Sequence, residues 1–354
     1  MSVKIDRLNV FIASPLEEEH VARIRKVASD KVDVTYEPDL LPPTRYVADH
    51  TGPAGFKRNA EQEARWRRHL AAADILWDFP PDAADGTSGM ALAPRVKWVQ
   101  ATSSGIGNRV ARLGLKDSKI LLTTARGVHA GPLAEFVFHS IIGHWKQHLR
   151  VQDDQKRHHW ARYCGEELAG KTLAIIGTGE VGRRIIQIGK AFEMRVLALA
   201  RPGSKRTAAE LGVDALFAST DLHRLLGEAD ALVLIIPHTA ETEGLIDRAA
   251  IAALKPGAVL VNIARGQVID EQAMIDALRT GHLAFAALDV FSVEPLPASS
   301  PLWDMTNVLV SPHSASTAAT ENGKIADIFC RNLKCFVEGR VSEMINMFDR
   351  SLTH

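Results

Sequence analysis

Residues 172–184 read TLAIIGTGEVGRR. An apolar run ends in a turn with glycines at 177, 179 and 182, and the chain then continues into a segment of helical periodicity. The G-x-G-x-x-G spacing alone is weak. Placed between a strand and a helix it is the turn of a dinucleotide-binding βαβ unit. Gly177 permits the tight bend, Gly179 lets backbone approach a pyrophosphate, and Gly182 lets helix and strand pack closely. The N–H groups of Glu180 and Val181 then point at phosphate from a helix N-terminus.

The next apolar run leads to LALARPGSKR at 197–206. An acidic residue at its end would bind the adenosine ribose hydroxyls and repel a 2′-phosphate. Ala200 stands there and does neither. Arg201, Ser204, Lys205 and Arg206 follow, a set able to hold a 2′-phosphate by charge-assisted hydrogen bonds. The expected cofactor is therefore NADP in preference to NAD. The alternative is a solvated basic loop beside NAD bound without an acidic clamp.

Apolar runs alternate with helical patterns on both sides of this unit. One series lies at 8–13, 32–37, 74–79, 96–102 and 119–124; the other at 172–177, 195–200, 231–237, 258–264, 284–291 and 307–312. Continuous Val/Ile/Leu runs belong to parallel sheets covered on both faces. The expected fold is α/β, with two doubly wound parallel-sheet domains. A helical segment at 126–165, polar towards its end, divides the two series. The Pro- and Gly-rich stretch 38–57 reads as a long loop, either functional or a surface insertion.

Three runs of the second series end in ionisable residues of complementary type: Arg265 in VNIARG, Glu294 in FSVEPLP and His313 in VSPHSAS. Ligands of open parallel sheets sit beyond the carboxyl ends of the strands. Arg265 suits a substrate carboxylate and a carbonyl oxygen gaining charge. His313 suits proton transfer near neutral pH, and Glu294 suits the role of orienting the imidazole and stabilising its protonated form.

The rest of the chain sets bounds. At 354 residues it has room for about two domains. Lys and Arg together number 42, as do Asp and Glu, so net charge suggests neither nucleic acid nor an anionic membrane as partner. The N-terminal stretch lacks the apolar core of a signal peptide, and no apolar run approaches the roughly 20 residues of a membrane span. Cys164, Cys330 and Cys335 form no disulfide framework, which suits a reducing, cytoplasmic setting. His144 and His148 stand at a metal-sharing interval with no acidic or thiol ligand to complete a set, so no metal is expected. The basic stretch 57–69 reads as the solvated face of a helix.

Taken together, 96–108 (VKWVQATSSGIGN), 167–184, 237–247 (PHTAETEGLID) and the almost continuous 254–316 resemble the D-isomer-specific 2-hydroxyacid dehydrogenase family. The resemblance is dense from about 95 to 316 and thin before that. It implies an NAD(P)-dependent oxidoreductase interconverting 2-keto and D-2-hydroxy acids, with Arg265, Glu294 and His313 at the catalytic positions. It implies cofactor contacts at Pro237, Thr242, Ile263, Ala264, His313 and Ala315, and at Asp289 for the nicotinamide carboxamide. Ser103, Ser104, Gly105 and Ile106 fall in the loop that holds the substrate carboxylate by backbone N–H groups. A Rossmann cofactor domain, 126–316, is implied as an insertion in a flavodoxin-like substrate domain, 1–125 with 317–354. A homodimer built largely from 126–165 is implied as well. Two departures stand out: the missing ribose acid, and Gly107 where many members carry Asp. Two rival activities share the scaffold: formate or phosphite oxidation, and non-enzymatic dinucleotide sensing of the corepressor kind. The intact Glu294 speaks against formate oxidation, whose branch carries Gln there.

Overall fold

A computed structural model describes residues 7–350. The ends of the first domain as read from the sequence, 1–6 and 351–354, lie outside the described residues, as does the start of the stretch scanned for a leader. The chain divides into two compact units, Met1–Val128 with Thr317–His354, and His129–Ser316.

The first unit runs β1 (Leu8–Ile12), α1 (Glu18–Lys26), β2 (Val32–Thr35), α2 (Ala60–Ala72), β3 (Ile75–Trp77), β4 (Trp98–Gln100), α3 (Gly107–Arg112) and β5 (Leu121–Thr123). The strands form one parallel sheet in the order β2-β1-β3-β4-β5, the flavodoxin-like order. Alternate residues enter different cores. Phe11, Leu76 and Val99 face one side with Trp66 and Leu70 of α2. Val10, Ile12, Ile75, Trp77 and Trp98 face the other. Both faces of the central strands β1, β3 and β4 are covered, so these are largely apolar, whereas the edge strand β2 (VDVT) alternates and leaves Asp33 exposed. The N-terminus of α2 is closed by a capping box between Asn59 and Gln62, which satisfies two otherwise unpaired N–H groups.

The loop 38–57 is ordered around one acid. Asp49 is 1% exposed. It accepts from the Arg45 guanidinium at 2.7 and 3.0 Å and from the N–H groups of Arg45, Thr51 and Gly52. The Arg45 side chain, with those backbone N–H groups, holds its carboxyl well below the usual carboxylate range. This hold is complete above the unfolded carboxylate value of about 3.9 and is lost only as pH falls towards the lower folded value.

The second unit runs α4 (Ala130–Trp145), α5 (His148–Lys156), β6 (Thr172–Ile176), α6 (Glu180–Ala191), β7 (Arg195–Leu199), α7 (Ala208–Leu211), β8 (Ala215–Phe217), α8 (Leu222–Glu228), β9 (Ala231–Leu234), α9 (Arg248–Ala253), β10 (Ala258–Asn262), α10 (Glu271–Thr280), β11 (Leu283–Leu288) and β12 (Val308–Val310). The parallel sheet order is β12-β11-β10-β9-β6-β7-β8. Its direction reverses between β6 and β9, the switch point at which doubly wound sheets bind ligands. Gly182, Ile185, Ile186 and Gly189 make the buried stripe of α6, an i, i+3, i+4, i+7 pattern. Each of the two isoleucines stabilises the unit by about 1.5–3 kcal/mol through burial. The final helix, α11 (Glu321–Val337), belongs to the first unit. Its Phe329 stacks on Trp98 with ring centroids 4.9 Å apart.

Two local expectations need correction. Helix does not fill 126–165: α4 and α5 cover 130–156, separated by Gln147 in the left-handed region (φ 54°). The chain beyond α5 is mostly polar, and its Trp160 and Tyr163 stay exposed rather than packing on the domain, so a short segment gains too little to propagate a helix. Strand β8 was not expected. Its apolar run, Ala215–Phe217, lacks the longer Val/Ile/Leu stretch that marks the other strands, and its pairing with β7 forms it.

Candidate active site

The glycine turn lies at the switch point. Gly177 has φ 120°, and a Cβ there would overlap the Ile235 carbonyl beyond β9. A Cβ on Gly182 would overlap the carbonyl of Gly177. These two glycines let strand, turn and helix close on one another. Gly179 differs, since a Cβ there would meet nothing within 4 Å. Backbone thus faces open space at the start of α6, where the N–H groups of Val181 and Gly182 have no intrahelical acceptor. That cradle fits a pyrophosphate.

The basic loop folds against this turn. The Arg206 guanidinium donates to the Thr178 carbonyl at 3.0 Å, and Ser204 Oγ accepts from the Arg206 N–H at 3.3 Å. Among the described residues neither Arg201 nor Lys205 has a carboxylate partner, and both are exposed. Thr242 Oγ1 donates to the Pro237 carbonyl at 2.7 Å and accepts from the Thr239 N–H at 2.8 Å. Its hydroxyl thereby closes the 237–242 loop, beyond β9. Ile263 and Ala264 are buried just past β10.

Arg265, Glu294 and His313 follow β10, β11 and β12, three neighbouring strands. His313 Nδ1 lies 2.8 Å from Glu294 Oε2. A carboxylate accepts, so Nδ1 carries the hydrogen and Nε2 is left to exchange a proton. Glu294 Oε1 accepts from the Phe291 N–H at 3.0 Å, which fixes the carboxylate plane. His313 has φ 53°, a conformation that a residue with a Cβ holds only where its surroundings impose it. Asp289, 2% exposed, imposes it. Its Oδ1 accepts from Ser311 Oγ at 2.6 Å and from the N–H groups of Ser314 and Ala315 at 2.8 and 3.0 Å. One carboxylate oxygen thus bends the chain around His313.

Arg265 is exposed and has no carboxylate partner among the described residues; its Nη1 donates to the Ala264 carbonyl at 2.6 Å. Asn262, fully buried, sets the backbone on both sides of that bond. Its Oδ1 accepts from the Ala264 N–H at 3.0 Å and its Nδ2 donates to the Arg265 carbonyl at 3.2 Å. Next to Arg265, Gly266 lies so close to Phe291 and Ser292 that a Cβ would overlap their backbone. This contact joins the Arg265 segment to the Glu294 segment. Neither Asn262 nor Gly266 was singled out in the sequence. The signal for Asn262 was a polar residue closing a buried apolar run. For Gly266 there was none, because the contact depends on strand order.

In the first unit, the 103–106 loop follows β4. The Ser103 carbonyl accepts from the Ala125 N–H at 3.1 Å, and Ile106 is buried. Beneath it, Trp98 Nε1 donates to Thr123 Oγ1 at 2.8 Å and Thr123 Oγ1 donates to Gln100 Oε1 at 2.7 Å. Among the described residues no group of three or more His, Cys, Asp or Glu is placed to hold a metal. No helix among them is long and apolar enough to cross a membrane. His144 packs flat on Phe285, centroids 5.0 Å apart, and burial pushes its imidazole towards the neutral form.

Comparison with known proteins bears on the family and the fold. The family model of the D-isomer specific 2-hydroxyacid dehydrogenase NAD-binding domain matches residues 138–315. A glyoxylate reductase of Aeropyrum pernix is 34% identical over 282 residues, 76% of this chain and 81% of that protein. A crystal structure of a family member from Aeromonas salmonicida superposes with a TM-score of 0.76 at 28% identity, covering 98% of this chain and all of the other. Another, from Xanthobacter autotrophicus in complex with NADPH and MES, gives 0.73 at 26% identity, covering 98% and 99%. The chain, with its two parallel-sheet domains and its dinucleotide turn, belongs to the D-isomer specific 2-hydroxyacid dehydrogenase family and is an oxidoreductase acting on CH–OH donors.

Proposed function

We propose that this enzyme is an NADP-preferring reductase of small 2-keto acids, working through Arg265, Glu294 and His313. The observation that carries the chemistry is the 2.8 Å hydrogen bond from His313 Nδ1 to Glu294, which leaves Nε2 as the atom that exchanges a proton with substrate. When bound, the nicotinamide supplies hydride to the carbonyl carbon or takes it from the hydroxyl carbon. Arg265 holds the substrate carboxylate and draws the carbonyl oxygen to its guanidinium as charge develops there. His313 passes the Nε2 proton to that oxygen during reduction and takes it back during oxidation. Glu294 keeps the ring oriented and stabilises its charged form. The N–H groups of the 103–106 loop are further ligands for the carboxylate. Asp289 orders the 311–315 segment and offers Oδ2 to the carboxamide.

The cofactor preference rests on the basic loop. Arg206 ties it to the glycine turn, and Arg201 and Lys205 are left with charge to spend on a 2′-phosphate. A family member at 26% identity is known with NADPH. The test is NADPH and NADH oxidation side by side with glyoxylate, hydroxypyruvate and a bulkier 2-keto acid. NADPH is expected to be the better substrate. The double variant Arg201→Ala/Lys205→Ala should lose at least about ten-fold in kcat/KM for NADPH, the equivalent of one charge-assisted hydrogen bond of about 1.5–3 kcal/mol, and little for NADH. An NADH preference in the wild type, or equal losses with both cofactors, overturns the assignment.

The proposed assembly is a homodimer built largely from 126–165, with the exposed part at 148–163 as its contact. Leu149, Val151 and Tyr163 are exposed there and Trp160 is 96% exposed, an apolar surface of the kind that marks an interface. Light scattering should give twice the chain mass, and Trp160→Asp should shift it towards the monomer. A monomeric wild type would refute the dimer. The exposed thiol of Cys164 suits a reducing compartment.

A further inference from the structure

We propose that Asp78 is a positioning residue for the 103–106 loop, holding it in its substrate-binding form through Thr102 on one side and Arg109 on the other. The inference rests on the reading of that loop as a carboxylate ligand. Asp78 follows β3 directly and is 6% exposed. Its φ is 65°, a region that residues with a Cβ avoid and glycine adopts freely.

The side chain is fully engaged. Oδ1 accepts from the Phe79 N–H at 2.7 Å and Oδ2 from Thr102 Oγ1 at 2.9 Å. Arg109 Nη1 lies 3.6 Å from Oδ1, and its guanidinium lies over the Phe79 ring, 5.5 Å from the centroid. The Asp78 N–H donates to the Gln100 carbonyl at 2.8 Å. Thr102 is the last residue before the loop, and Arg109 stands in α3, which begins directly after it. One buried carboxylate therefore grips both ends of a four-residue segment whose N–H groups do the proposed binding.

Stability alone is a poor account of this arrangement. Glycine would remove the backbone strain, and an ion pair at 3.6 Å whose arginine is partly exposed adds little. Strained residues gather where function requires a fixed geometry. A loop displaced by about 1 Å can lose about 10²-fold in efficiency.

The variant Asp78→Gly separates the two accounts, since it relieves the backbone while deleting the carboxylate. It is expected to fold and to bind NADPH unchanged, the relieved backbone offsetting part of the loss of the Phe79 and Thr102 hydrogen bonds. Its KM for the best 2-keto acid should rise about ten-fold or more while kcat changes less. Asp78→Asn should fall between, because the amide can keep the Phe79 and Thr102 bonds but loses the charge facing Arg109. Thr102→Val should raise KM in the same direction, and the double variant with Asp78→Gly should be no worse than the sum of the two. An unchanged KM in Asp78→Gly overturns the proposal. Should that variant fail to fold, an unchanged KM in Thr102→Val overturns it. Gly105→Pro, which deletes one N–H of the loop itself, guards the premise. If it raises KM while Asp78→Gly does not, the loop reading stands and the positioning role falls. If neither raises KM, the loop is not the carboxylate ligand.

Discussion

His313→Asn is expected to lower kcat by about two to four powers of ten, the usual contribution of a positioned general acid, and to weaken NADPH binding far less, because His313 is one cofactor contact among several. Asn is the informative replacement. His313 sits at φ 53°, which Asn tolerates far better than Ala does, so the loss reports the missing acid rather than a distorted loop. Glu294→Gln should fall between wild type and this variant. Its amide can present N–H to Nδ1, which favours the wrong tautomer and removes the hydrogen from the Nδ1 side. Steady-state kinetics with the preferred 2-keto acid and cofactor titration by fluorescence check both. A His313→Asn enzyme with kcat close to wild type would place the proton donor elsewhere.

Gly266→Ala should be as damaging to activity, for a different reason. An added methyl overlaps the backbone of Phe291 and Ser292, and backbone cannot yield by rotating a side chain. The Arg265 segment and the Glu294 segment must move apart. Overpacking of this kind costs about 1–3 kcal/mol, a fall in Tm of roughly 2–4 °C per kcal/mol in a domain of this size. The activity loss should be larger in proportion, about 10²-fold in kcat/KM, because the groups that act together are displaced. Gly227→Ala, in α8, is the control. Its Cβ would meet the Ala253 carbonyl at 3.6 Å, an ordinary contact, and it should keep full activity and gain up to about 1 kcal/mol from helix propensity. If Gly266→Ala melts and turns over like wild type, the two segments are not held by this contact.

Much of this was legible in the chain. Apolar runs at strand length, interleaved with helical periodicity, predicted two parallel sheets, and the central strands of both proved to be covered on both faces. The spacing of Gly177, Gly179 and Gly182 predicted a cofactor turn, and its placement at the strand-order reversal agrees with that reading. Where signals failed, they failed locally. The apolar run of β8 is too short to stand out from its surroundings, and the mostly polar chain after α5 has no apolar face packed on its own domain.

By itself, then, the order of residues determined the fold class, the family and the identity of the groups that could do the chemistry, because periodicity and short-range spacing are properties of local chain geometry. Which groups meet was decided by tertiary structure alone. His313 and Glu294 are 19 positions apart, and they touch because β11 and β12 are neighbours. Asp289, a residue the family resemblance ties to the cofactor, spends one oxygen on bending the chain at His313. Gly266 is required by a carbonyl 25 residues away in the chain, and Asp78 reaches Thr102 only because β3 lies beside β4. Such contacts depend on strand order and on the few ångströms by which neighbouring backbones approach, and neither is written in the spacing of residues along the chain.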